Sequence, residues 1–313
     1  MNKANNIKSS FYLMLTAIIW GVAFVFQSMG NNYMQPFTFN ATRNLLGFLV
    51  LIPIVILKPN KPEFFTGKKS DNKVVIDKKI TIIGGICCGL ALSIASMFQQ
   101  YGMKFTTVGK AGFITTLYII LTPILGLFIK KKCPFTVWIG AMGAIIGMYM
   151  LCITGSFSLS LGDILVFFCA IFFAVHILII DYFSPKTDGV LLSCIQFLVS
   201  AVVCGIIAFI IEQPSWQQLI DGAIPILYTG IMSSGVAYTL QIVGQKNFNP
   251  TVAAMIMSLE SVFSAVAGYF AYSLGYLTQD QSMTAIQIMG CVIMFGSVIF
   301  VQLPFDKLKL KKH

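Results

Sequence analysis

In a chain of 313 residues, 57% are apolar or aromatic and only 10% are Asp, Glu, Lys or Arg, too few charges to coat a water-facing surface, where about 25% is usual. The formal charge of +10 would point a soluble protein toward nucleic acid, but these charges fall almost wholly between long apolar blocks and report orientation instead. Nucleic acid is therefore not an expected partner, and the lipid bilayer is.

Crossing about 30 Å of hydrocarbon takes roughly 20 apolar residues as a helix. Residues 1–10 carry Lys3 and Lys8 and lead, without a small-residue cleavage pattern, into a retained first helix. Segments that meet the length test run over 11–30, 36–57, 80–103, 107–130 and 134–153, then 162–181, 190–211, 222–245, 250–273 and 284–302. The blocks are continuously apolar and do not alternate, which disfavours a β-barrel. The expected fold is an all-α membrane protein of ten transmembrane helices.

Connections between the blocks are short except for 58–79, which is polar and Lys-rich. With a cytoplasmic N-terminus, eighteen lysines lie on the inner side: Lys3, Lys8, those of 58–79, Lys130 to Lys132, Lys186, Lys246 and those of the tail 303–313. Only Lys104 and Lys110 fall outside. The positive-inside rule then places both termini in the cytoplasm, with 58–79 a cytoplasmic basic loop and 303–313 a cytoplasmic basic tail.

An internal repeat follows. At an offset of 142, GMKFTTVGKAGFITTLYIILTPILG (102–126) aligns with GQKNFNPTVAAMIMSLESVFSAVAG (244–268), setting Lys104 on Lys246, Leu117 on Leu259 and Gly126 on Gly268. The same offset sets Gln99 on Gln241 and Tyr118 on Glu260. Residues 11–153 and 154–302 would then be two five-helix repeats. Five is odd, so the second copy enters the membrane inverted, an arrangement of secondary transporters whose site lies between the halves near the midplane.

AIIWGVAFVFQ (17–27), followed by Pro36 and Arg43, resembles the opening Trp-Gly-x-x-Phe and the following Pro and Arg of the EamA-type branch of the drug/metabolite transporter superfamily. LYIILTPILG (117–126) and the stretch 228–270 are similar to that family's two repeat centres. The resemblance covers nearly all of 11–302 and implies a ten-helix inverted-repeat bundle that moves small metabolites. Members often carry Gly-Glu after the ninth helix, where this chain has Gly275 and Tyr276.

Charges inside a membrane cost about 2.5–3.5 kcal/mol on insertion scales and are functional candidates by default. Glu260 lies near the middle of its segment, as a coupling or solute-contacting carboxylate or as a structural acid bonded to a neighbouring helix. Arg43 could bind a solute carboxylate or reach toward the surface along its aliphatic stem, and the structural reading is preferred. His176 is the other coupling candidate, since imidazole titrates near neutral pH; a lone histidine on a helix is more often simply hydrogen-bonded. Gln99, Gln100 and Gln241 are amides that either link helices or line a cavity. Trp20, Tyr118 and Tyr238 are aromatic lining candidates.

No catalytic set appears, since His176 and His313 are the two histidines, and no phosphate loop is present. The eight cysteines lie mostly within apolar blocks with no CxxC, so neither disulfide, metal nor other cofactor is expected. The chain reads as a secondary transporter, and an exporter, of a small neutral or zwitterionic metabolite such as an amino acid across the cytoplasmic membrane. The runners-up are efflux of cationic drugs and a membrane sensor without transport. Clustered lysines or arginines for a polyanion are missing from the spans. A small-molecule solute is the expected partner, and a homodimer is left open.

Overall fold

The computed structural model describes residues 3–57, 78–131, 135–152, 160–246, 248–277 and 283–302. Most of the basic loop 58–79, the connection 154–159 and the tail 303–313 lie outside the described residues. Among the described residues every regular element is helical. Among the described residues, eight helices are long and apolar enough to cross a membrane. They match eight of the ten expected segments; the remaining two segments correspond to a pair of shorter apolar helices.

In chain order, α1 (Lys3–Gly30), α2 (Pro36–Ile56) and α3 (Lys78–Gly102) come first. The next span is divided into α4 (Val108–Thr115) and α5 (Tyr118–Phe128). Then follow α6 (Phe135–Cys152), α7 (Leu161–Phe183) and α8 (Gly189–Ile211). Two short helices, α9 (Trp216–Asp221) and α10 (Ala223–Leu227), lead into a π-helical stretch, Tyr228–Ala237, which continues as α11 (Tyr238–Gln245). A second divided span, α12 (Pro250–Met257) and α13 (Glu260–Ser273), precedes α14 (Ala285–Gln302).

Polar residues fix where these helices begin. Ser160 and Asp163 form a reciprocal capping box on α7, while Asp188, Thr107 and Asn249 cap α8, α4 and α12 through their side chains. The start of α2 is capped from a distance. Glu212, just past α8, accepts from Phe37 N at 3.0 Å, Thr38 N at 2.7 Å and Thr38 Oγ1 at 2.6 Å. That contact ties the α1–α2 turn to the end of α8, and Lys104 Nζ donates to Gln35 at 2.8 Å beside it. Asp163 accepts from Thr106 at 2.6 Å and pairs with Lys110 at 3.9 Å, bringing the start of α7 to the start of α4. At the opposite end, Lys131 after α5 pairs with Asp181 near the end of α7.

Close packing uses small residues, as expected where helices associate without a hydrophobic driving force. Helices α2, α3, α7 and α8 form one packed group, α1 lies against α13 and the π-helical stretch, and α6 packs on α14. On α6, a Cβ at Gly147 would fall 2.6 Å from Gly290 O, so only glycine admits α14 at this distance.

The segments 107–130 and 250–273, expected as single helices, are each broken near the middle, and the two breaks are wired alike. In the first, Thr116 N donates to Gly112 O, Leu117 N to Ile114 O and Ile119 N to Thr116 O. In the second, Ser258 N donates to Ala254 O, Leu259 N to Ile256 O and Ser261 N to Ser258 O. The hydroxyls do the same work: Thr116 Oγ1 donates to Phe113 O at 2.8 Å and Ser258 Oγ to Met255 O at 2.7 Å. A hydroxyl that bonds its own backbone carbonyl competes with the helix ladder, here at positions 142 residues apart. The two divided spans also end alike. Lys131 N returns to Gly126 O and Tyr276 N to Ala271 O, both at 2.9 Å, with Lys130 and Gly275 at positive φ of 59° and 79°. The Gly of the Gly275–Tyr276 pair is thus explained by the backbone, and Tyr276 points out, 65% exposed.

Candidate functional site

The residue following each break faces a common cavity. Tyr118 opens α5 and Glu260 opens α13, both buried. The Tyr118 hydroxyl lies within reach of the Glu260 carboxylate but closes no hydrogen bond of good geometry. A cavity of about 20 Å³ lies between them, lined also by Trp20, Phe24, Gln27, Arg43, Gln99, Thr115, Phe173, Ser233 and Tyr238. A buried water needs about 10–15 Å³. The helices must therefore part before an organic solute can enter.

The α1 wall follows from the Trp-Gly-x-x-Phe stretch. Trp20, Phe24 and Gln27 recur at four and three residues, which places them on one helix face. Gly21, beside Trp20, lets α13 lie close. A Cβ there would come 2.8 Å from the Phe263 carbonyl carbon and 2.9 Å from Ser264 N. Gly112 on α4 meets Ser264 in the same way. Two glycines thus draw α1 and α4 onto α13 just past Glu260.

Polar contacts fix the rest of the wall. Arg43, 3% exposed, donates from Nη1 to Gln27 Oε1 at 3.1 Å and lies over the Phe39 ring. Its Nε has no hydrogen-bond partner. Among the described residues neither Arg43 nor Glu260 is in an ion pair, although both line one cavity. Gln99 Nε2 donates to Thr115 Oγ1 at 3.2 Å. Trp20 packs on Tyr238 with ring centroids 4.6 Å apart, and its indole N–H lacks a partner.

Of the candidates named from sequence, Trp20, Arg43, Gln99, Tyr118, Tyr238 and Glu260 line this cavity, and three lie elsewhere. Gln100 ties α3 to α1, donating to Gln27 O and Asn31 Oδ1, each at 2.9 Å. His176 is fully buried, 3.1 Å from Gln196 Oε1, with its ring edge-on to Tyr238. Gln241 is buried one turn beyond Tyr238, outside the lining. Arg43, for which a surface-reaching role was preferred, instead points into the cavity wall. The reason is local: Gln27 and Phe39 receive its guanidinium there. Phe24, Gln27, Thr115, Phe173 and Ser233 were not singled out. The spacing of Trp20, Phe24 and Gln27 was a signal that could have found the first two.

Comparison with known proteins agrees with this architecture. The model of the EamA-like transporter family matches twice, over residues 7–153 and 160–303. A protein of Archaeoglobus fulgidus described as an uncharacterized transporter is 28% identical over 295 residues, covering 93% of this chain and 84% of that protein. A solved crystal structure, 16% identical, superposes with a TM-score of 0.71 over 96% of this chain and 98% of its own, a likeness of fold alone. Multi-pass in the membrane and matched by that model along nearly its whole length, the chain belongs to the EamA-like transporter family.

Proposed function

We propose that the chain is a secondary transporter that exports a small neutral or zwitterionic metabolite, such as an amino acid, across the cytoplasmic membrane by alternating access. The observation that carries this reading is the cavity at the two helix breaks, which holds one buried acid, one buried base and a set of aromatic rings. Discontinuous helices around a midplane site are a recurrent transporter device. In this reading ten spans form two inverted five-helix repeats, counting each divided helix once. The twin family match and the matched wiring of the breaks support it. Lysine placement puts both termini in the cytoplasm, so the end holding the α1–α2 turn faces outward.

Glu260, beside Tyr118, and His176 are the coupling candidates, and of the two only Glu260 lines the cavity. His176 takes a lesser part, packed behind Tyr238. Cationic efflux is the second reading, favoured by Glu260 among aromatic rings; Arg43 in the same wall opposes it, because a like charge repels a cation at short range. The test is a metabolite comparison of cells lacking and overexpressing the protein. One small zwitterion should fall in the cytoplasm of the overexpressing cells and accumulate in the medium. An unchanged metabolite profile in both strains would remove the transporter reading.

A further inference from the structure

Arg43 is a buried base that no acid pairs with among the described residues. The residue is 3% exposed, one terminal nitrogen donates to the neutral Gln27 amide, and Nε has no partner. Glu260 lines the same cavity, yet no ion pair joins them. Burying a guanidinium on a neutral acceptor is costly, and a carboxylate would repay it, because the planar fork matches two carboxylate oxygens. Gln27 holds the guanidinium, as a positioning residue, in the wall of the cavity that both residues line.

We propose that Arg43 is the carboxylate-binding element of this site, taking the carboxylate of a zwitterionic solute whose ammonium lies toward Glu260 and Tyr118. Trp20, Phe24, Phe173 and Tyr238 then enclose the solute's apolar part. One guanidinium suits one carboxylate, so solutes with several phosphates or several acids are poorly matched. This rests on the transporter reading above and narrows its substrate to solutes bearing a carboxylate.

The experiment compares two ligand mixtures by thermal melting of the purified full-length protein. One mixture holds the proteinogenic amino acids; the other holds the matching amino alcohols, which keep the ammonium and side chain and lack the carboxylate. The amino acids should raise the melting temperature, as a ligand that binds only the folded state does, and the amino alcohols should not. Arg43→Gln should weaken the amino-acid response about tenfold or more in concentration, with Arg43→Lys in between.

Equal shifts by both mixtures would overturn the assignment, and that comparison needs only the unaltered protein should Arg43→Gln not fold. A full amino-acid response in Arg43→Gln, or in the double variant Arg43→Gln/Glu260→Gln, would show the arginine to be a charge balance only. If neither mixture shifts the melting, the carboxylate assignment falls. A solute found by the metabolite comparison would then still leave the transporter reading in place.

Discussion

Tyr118 and Glu260 stand 142 residues apart, each the first residue of a half-helix after a two-residue break, and face one cavity. Glu260→Gln keeps size and hydrogen bonding and removes the exchangeable proton. If Glu260 couples protons, this variant should insert normally, bind solute, retain exchange and lose uptake driven by a proton gradient. If the acid is structural, Glu260→Gln should transport nearly normally and Glu260→Ala should lower thermal stability. Gradient-driven uptake by membrane vesicles, measured beside exchange, separates the two.

Gly21→Ala should be destabilising although it adds one methyl group. The new Cβ would meet Phe263 and the backbone of α13, and such overpacking costs about 1–3 kcal/mol. A lowered melting temperature for Gly21→Ala, and almost none for Gly296→Ala, where nothing lies within 4 Å, is the expected pair of results.

Thr116→Val and Ser258→Ala should have similar effects, because each removes one hydroxyl that closes a carbonyl at its break. Each should cost about 1 kcal/mol. Measured losses that differ strongly would mean the two breaks are not equivalent elements.

The spans were legible in the sequence because an apolar block of sufficient length has few other uses. So was the pairing of Tyr118 with Glu260, which the offset alone supplied. The breaks were not, since Thr116 and Ser258 look like ordinary helix residues until their hydroxyls are seen to bond Phe113 O and Met255 O. Gln99 and Gln241 were expected to behave alike, and the reason they differ lies one turn away. Beside Gln99 the chain has small Ser96; at the equivalent position beside Gln241 it has Tyr238, which fills the lining itself. Arg43 was misjudged because the sequence did not reveal Gln27 and Phe39 as its receiving surface.

Tyr238, Gln241 and Gln245 lie on one face of α11, all buried, and Gln241 Oε1 and both polar atoms of Gln245 lack partners. In alternating access this face would line the route from the cavity to the cytoplasm. Gln245→Cys, in a chain with its native cysteines replaced, should react with a charged thiol reagent from the cytoplasmic side during turnover. Labelling only from the outer side would reverse the route.

The most direct test fills the cavity. Ser233→Trp adds a large ring where about 20 Å³ is open, whereas Thr42→Trp places the same ring in the apolar groove between α2 and α8, outside that cavity. Both proteins would be reconstituted in liposomes and counterflow of the solute found by the metabolite comparison recorded. The account predicts normal counterflow for Thr42→Trp and none for Ser233→Trp, with both variants folded. Counterflow undiminished by Ser233→Trp would contradict a solute path through this cavity.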